Sequence, residues 1–135
     1  MRVAAIVGES GSGKTTLIVA LIRHFVTSGQ RVAAIKHTHH ALNEARRGDT
    51  AELEAAGARP VIFAGDGEAV VFAGNGAERV RFQSPRELLD RAAADIVLIE
   101  GFKRVDLWPR IELDRNTRIS LGDALAILDR MWAPK

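Results

Sequence analysis

One stretch of this sequence, Gly8-Glu9-Ser10-Gly11-Ser12-Gly13-Lys14-Thr15, fits the phosphate-binding pattern G-x-x-x-x-G-K-[ST] at every required position. Glycines let the backbone form a tight nest whose N–H groups point at phosphate oxygens, and a helix that begins directly afterwards favours negative charge. We expect Lys14 to reach the β- and γ-phosphates and the Thr15 hydroxyl to bind Mg²⁺, which bridges the same phosphates. The stretch therefore predicts a site for a nucleoside triphosphate.

The residues around this loop predict the elements that would position it. Residues 3–7 are a short apolar run, typical of a strand covered on both faces. After Lys14, apolar residues recur at helical spacing, and Gly29 is placed to end the helix. A glycine- and serine-rich turn without a ligand is the alternative, but such a turn does not require a buried strand before it and a helix after it.

The composition predicts one soluble domain, residues 1–135, which we interpret as a nucleotide-binding domain. The chain is 47% apolar and 27% charged, and no apolar stretch approaches the ~20 residues of a spanning helix. A net charge of +2 does not favour nucleic acid as a partner. The first strand leaves no room for a signal peptide, so we expect a cytoplasmic location and no membrane partner. Without cysteine, a metal would need oxygen or imidazole ligands.

Two other polar stretches follow predicted buried strands. Residues 32–35 lead into Lys36-His37-Thr38-His39-His40, and residues 96–99 lead into Glu100-Gly101-Phe102-Lys103. Helices separate these strands, which favours a mostly parallel sheet whose ligands gather beyond the carboxyl ends of its strands. We therefore expect both stretches to lie beside the phosphate-binding loop.

Glu100 is a candidate for metal and water chemistry. An acid at this position can hold Mg²⁺ through a water or orient the water that attacks the γ-phosphate, so Lys14 and Glu100 are the predicted catalytic residues. Acids also end strands as plain solvated groups, and that alternative stays open. We interpret Asp95, at the opposite end of the strand, as structural.

The histidine run allows three interpretations. Lys36 and one or more of the histidines, His37 among them, could donate hydrogen bonds to phosphate or to a second anionic substrate, which is the interpretation we favour. Metal ligation is less well supported, because consecutive loop histidines seldom all face one ion. A solvated loop without a role is the third. Asp49 is similarly ambiguous between a helix cap and a metal-facing acid.

The remaining apolar and turn patterns predict further helices, strands and an antiparallel hairpin. These are a short helix over residues 49–57, a strand at Val61–Ala64, a hairpin of residues 69–73 and 79–82 around Asn75-Gly76, a helix from Ser84 to near residue 93, a strand over 109–113, and a final helix over 121–131 capped by Ser120.

Together, four stretches resemble the molybdopterin-guanine dinucleotide biosynthesis protein B family. They are residues 8–16, residues 36–40, residues 48–50 with 55–58, and residues 98–103. The Lys-His-Thr-His-His and Glu-Gly-Phe-Lys runs are much more particular to this family than the phosphate-binding loop, which alone indicates only a superfamily. The resemblance extends over residues 2–113.

The resemblance implies a P-loop NTPase-type, three-layer α/β/α fold whose mostly parallel sheet carries an antiparallel hairpin. It implies a cytoplasmic protein that binds GTP with Mg²⁺, hydrolyses it weakly, and assists the molybdenum cofactor guanylyltransferase that attaches GMP to molybdopterin, with molybdopterin itself a further candidate ligand. It also implies a homodimer in which strands of two chains extend one sheet. The nucleotide contacts that it implies are Ser10, Gly11, Ser12, Gly13, Lys14, Thr15 and Thr16, with Lys36 and His37 in the neighbouring loop and Thr15 and Glu100 at the metal.

The part of the chain that would bind the base departs from the family pattern. Family members continue after the strand at 109–113 with another buried strand and a polar loop, whereas here Asp114-Arg115 lead almost directly to the final helix. No Asn-Lys-x-Asp run occurs, so the guanine preference rests on the resemblance. A small-molecule P-loop kinase or ATPase, with an anionic acceptor held by residues 36–40, and a scaffold with a decayed site remain alternatives. Because neither an arginine nor a glutamine can be placed beside the γ-phosphate, we expect slow hydrolysis.

Overall fold

A computed structural model describes residues 1–9, 11–38, 50–74, 76–116 and 118–134 of the chain. The strands are β1 (Arg2–Gly8), β2 (Val32–His37), β3 (Val61–Ala64), β4 (Glu68–Ala73), β5 (Gly76–Arg81), β6 (Ile96–Glu100) and β7 (Arg110–Leu113). The helices are α1 (Lys14–Thr27), α2 (Ala51–Ala56), α3 (Leu121–Trp132) and a 3₁₀ helix, Pro85–Arg91.

The strands of the described residues form a single sheet in the order β5-β4-β3-β2-β6-β1-β7. From β3 to β7 all neighbours are parallel, whereas β4 is antiparallel to both β3 and β5. The predicted fold class, a P-loop α/β fold whose mostly parallel sheet carries an antiparallel hairpin, is confirmed. Parallel order brings the carboxyl ends of β1, β2, β6 and β7 to one edge.

Apolar cores lie on both faces of the sheet. On one face, α1 and α3 bury side chains such as Leu21, Ile22 and Leu128 against the strands. The opposite face is covered by Leu88 of the 3₁₀ helix and by Phe102, which follows β6. These two layers enclose the sheet, and β6 is buried on both faces, which explains its continuous apolar run. In the part of the chain described, none of the helices combines the length and apolar character needed to cross a membrane.

The predicted capping box at the start of the 3₁₀ helix is present. Ser84 caps the 3₁₀ helix, and Glu87 completes the predicted capping box by accepting hydrogen bonds from the backbone N–H groups of Ser84 and Gln83. These two bonds, that of Ser84 first, hold the pKa of Glu87 below its usual range. The helix ends at Arg91, slightly before the predicted end.

The hairpin and α2 agree with the predicted positions, with small differences in their bounds. β5 begins at Gly76 rather than at residue 79, and Gly57 ends α2 in the left-handed conformation, with φ 114°. Asn75 of the predicted turn and Asp49 of the predicted helix start lie outside the described residues.

Candidate nucleotide-binding site

The loop between β1 and α1 depends on three glycines, the two that the pattern requires, Gly8 and Gly13, and Gly11 between them. Gly11 and Gly13 have φ values of 81° and 91°, a left-handed conformation that side chains rarely adopt. Gly8 is needed for space, because a Cβ atom there would lie 2.6 Å from the carbonyl oxygen of Leu113 on β7. The pattern read from the sequence therefore corresponds to a backbone that only glycine allows at these positions.

Lys14 is held over this loop. Its ammonium group donates a 2.7 Å hydrogen bond to the carbonyl oxygen of Gly8, at the start of the loop. Ser12, within the loop, is buried, and its hydroxyl has no hydrogen-bond partner among the described residues. The loop thus carries one cation, as the binding of a triphosphate requires. Ser10 lies outside the described residues.

Glu100 lies next to the start of α1. The Thr15 hydroxyl donates a 3.2 Å hydrogen bond to Oε1 of Glu100, whose residue is only 8% exposed. The other carboxylate oxygen, Oε2, is buried and has no partner in the described part of the chain. A buried acceptor without a partner is rare in proteins, and a carboxylate beside a hydroxyl is a suitable ligand set for Mg²⁺. These two residues therefore fit the Mg²⁺ ion that the sequence predicts beside the loop.

Lys36 shares the face of the sheet that carries Glu100. The two residues are paired across β2 and β6, and paired residues on neighbouring parallel strands point to the same side. Lys36 thus brings a second positive charge toward the predicted site. Thr16 lines a cavity directly beside the loop.

His37 is placed differently from the prediction that groups it with Lys36. β2 extends through His37, so the two side chains point to opposite faces of the sheet. The His37 ring stacks on Phe102, with centroids 4.1 Å apart, and its Nε2 lies 2.9 Å from Oδ1 of Asp66. The structure therefore brings Lys14, Thr15, Lys36 and Glu100 to one side of the sheet and places His37 on the other.

The metal-ligand interpretation of the histidine run concerns residues that the structure describes only in part. His39 and His40 lie outside the described residues. Within the described ranges no group of three or more histidine, aspartate or glutamate side chains is arranged to hold a metal ion.

Two arginines that the sequence interpretation left out lie against the phosphate-binding loop. The Nε atom of Arg115 is 3.8 Å from a carboxylate oxygen of Glu9. The Nη1 atom of Arg118 is 3.8 Å from the point that a Cβ atom on Gly13 would occupy. Both follow β7, which lies beside β1. The end of β7 therefore lies at the candidate site together with the ends of β1, β2 and β6. The sequence predicts the strand at 109–113, but it does not predict that this strand lies beside β1, and that neighbourhood is what brings the two arginines to the loop.

Comparisons with known proteins agree with the family resemblance of the sequence. The family model of molybdopterin guanine dinucleotide synthesis protein B matches residues 3–128. The molybdopterin-guanine dinucleotide biosynthesis adapter protein of Haemophilus influenzae is 37% identical over 112 residues, which are 82% of this chain and 62% of that protein. A putative adapter protein of the same name from Methanocaldococcus jannaschii is 36% identical over 130 residues, which are 96% of this chain and 52% of that protein.

A solved structure supports the fold. The crystal structure of Bacillus subtilis MobB matches with a TM-score of 0.52 at 24% identity, covering 84% of this chain and 68% of that one. The chain spans between about half and three fifths of the length of the two curated relatives.

Proposed function

Because this chain belongs to the molybdopterin guanine dinucleotide synthesis protein B family, we propose that it is a GTP-binding accessory protein of molybdenum cofactor biosynthesis. In this proposal it binds GTP with Mg²⁺ in the cytoplasm and assists a guanylyltransferase that converts molybdopterin into molybdopterin guanine dinucleotide. The curated relatives are named adapter proteins of this biosynthesis, which supports a role in assisting another enzyme.

The contact between Thr15 and Glu100 is the observation that carries the proposal. The glycines of the loop and Lys14 would hold the β- and γ-phosphates, while the Thr15 hydroxyl and the Glu100 carboxylate would hold the metal. Mg²⁺, when bound, neutralises charge on the phosphate oxygens. Glu100 would also orient the water that attacks the γ-phosphate.

Slow hydrolysis is part of the proposal. Fast P-loop hydrolysis requires an arginine that stabilises the transition state, and this arginine is worth roughly 10³ to 10⁵ in rate. Of the two arginines near the loop, Arg115 is paired with Glu9 and Arg118 lies against Gly13. We assign neither of them to the γ-phosphate, so a partner protein would have to supply or release such a group. For the isolated protein we expect turnover on the order of 10⁻² per second or slower.

A homodimer also belongs to this proposal. β5 is the last strand of the sheet on one side, and it is mostly exposed. An edge strand presents unpaired backbone groups to which a strand of a second copy can bind. Sedimentation of the purified protein would show a dimer mass if the two sheets join.

Isothermal titration with GTP and ATP, each with and without Mg²⁺, tests the nucleotide part of the proposal. We expect Mg²⁺-dependent binding with a preference for GTP, and Lys14→Ala should weaken it at least tenfold, which is about 1.4 kcal/mol. Arg23→Ala is the control, since Arg23 is an exposed cationic residue of α1 that lies outside the phosphate-binding loop and outside the other predicted site stretches. Equal or tighter ATP binding would contradict the guanine preference, and unchanged binding by Lys14→Ala would favour a scaffold whose site has decayed.

A further inference from the structure

A cavity of about 200 Å³ opens beside the phosphate-binding loop. It lies between the start of α1 and the segment that joins β7 to α3. We name it the base pocket, and its lining includes Gly13, Thr16, Leu17, Leu113, Arg118 and Ile119. Gly13 and Thr16 also belong to the stretch that would hold the phosphates, so the base pocket is continuous with that site.

The size and lining of the base pocket indicate a flat ring as its ligand. Pockets that hold drug-sized ligands measure roughly 300 to 1,000 Å³, so this smaller cavity is suited to one part of a nucleotide. Leu17 and Leu113 offer apolar surface to the faces of a ring, and Arg118 offers N–H donors to its edge. None of the described residues that line the cavity carries a carboxylate.

We propose that the base pocket holds the guanine of bound GTP and that Arg118 contacts the edge of the base. Guanine presents two acceptors, O6 and N7, that match the N–H donors of a guanidinium group, whereas adenine replaces O6 with an amino donor. The side chain of Arg118 is exposed, lines the pocket, and has its Nη1 atom 3.8 Å from the point that a Cβ atom on Gly13 would occupy. This inference rests on the proposed function, because it requires that the loop bind a triphosphate. It assigns the choice of base to the connection between β7 and α3.

The test compares the binding of GTP, ATP and inorganic tripolyphosphate, all with Mg²⁺, to the full chain. We expect Arg118→Ala to weaken GTP binding about tenfold and to leave ATP and tripolyphosphate within about twofold. Arg130→Ala is the matched control, because Arg130 is an exposed arginine on α3 that does not line the pocket. Its affinities for all three ligands should equal those of the wild type.

A second variant tests the cavity itself. Ala20 lines the base pocket from α1, and Ala20→Leu would fill part of it with a residue that favours helix. We expect this variant to weaken GTP binding about tenfold and to bind tripolyphosphate normally.

The possible results separate the two proposals. Unchanged GTP binding by both variants would overturn the base pocket, as would an equal loss of all three ligands, because Arg118 would then be a phosphate contact. An equal loss of GTP and ATP by Arg118→Ala would overturn the selection of guanine. A wild-type protein that binds tripolyphosphate as tightly as GTP would overturn only this inference, whereas one that binds no triphosphate would overturn the proposed function.

Discussion

The hydroxyl of Thr15, at the start of α1, lies 3.2 Å from Oε1 of Glu100, the last residue of β6, although 85 positions separate the two residues in the sequence. They meet because β1 and β6 are parallel neighbours and their carboxyl ends coincide, with Ile6 paired to Glu100. β6 thus supplies the carboxylate, and the helix that follows β1 supplies the hydroxyl, so both meet beside the loop.

The first prediction concerns the charge of Glu100. Glu100→Gln keeps the shape of the side chain but removes the negative charge, so it should weaken Mg²⁺ binding to the GTP complex about tenfold or more. GTP binding without Mg²⁺ should not fall, because no phosphate contact is lost. A magnesium titration of a fluorescent GTP analogue measures both quantities. Glu112→Gln, an exposed carboxylate on β7, is the control. An unchanged magnesium dependence would leave Glu100 as a strand-end acid without a role in metal binding.

The second prediction concerns Gly101, which follows Glu100. Gly101 has φ 101°, and a Cβ atom there would lie 2.9 Å from Cβ of His37. Gly29 has φ 87° and nothing within 4 Å of the corresponding point. In urea unfolding we expect Gly29→Ala to cost about 1 kcal/mol for its backbone conformation alone. Gly101→Ala should cost about 2 to 3 kcal/mol, because it adds a steric clash. Equal losses would show that His37 moves aside without cost.

Sequence patterns predicted the loop, the order of the elements and the capping box at Ser84 because each depends on residues close together in the chain. Sequence patterns were less informative about side chains whose position depends on where a strand ends or on which strand lies beside it. The sequence pattern groups Lys36 and His37 in one loop, yet β2 extends through both, and consecutive side chains of a strand point to opposite faces of the sheet. The position of Arg118 depends on β7 lying beside β1, and strand order is a property of the whole sheet.

The third prediction concerns His37 and distinguishes a nucleotide contact from a packing role. His37→Phe keeps an aromatic ring against Phe102 and removes the hydrogen bond to Asp66, whereas His37→Ala removes both. We expect His37→Ala to lower the free energy of unfolding by about 1 to 3 kcal/mol and His37→Phe to lower it by less. GTP affinity should stay within about twofold of the wild type for His37→Phe, because the ring lies on the face opposite Glu100. Loss of GTP binding by a folded His37→Phe protein would instead support the sequence prediction that His37 contacts the nucleotide.

The last prediction is a pH dependence of stability that arises far from the nucleotide. The backbone N–H of Arg31 donates a 2.9 Å hydrogen bond to Oδ2 of Asp95, and the Arg31 guanidinium donates a second bond to the same carboxylate. These bonds, the backbone bond first, hold the pKa of Asp95 below its usual range, which is near 3.9.

A carboxyl group whose pKa is lowered by folding stabilises the protein above its ordinary pKa, and that contribution is lost as the pH falls through the pKa of the folded state. The difference in unfolding free energy between the wild type and Asp95→Asn should therefore be constant above about pH 5 and shrink below about pH 4. Urea unfolding at a series of pH values from 7 to 3 measures it. Asp129→Asn, on α3, controls for the loss of one negative charge. A difference that persists unchanged at the lowest pH would mean that the asparagine loses packing or geometry and that the ionised carboxylate is not what Arg31 stabilises.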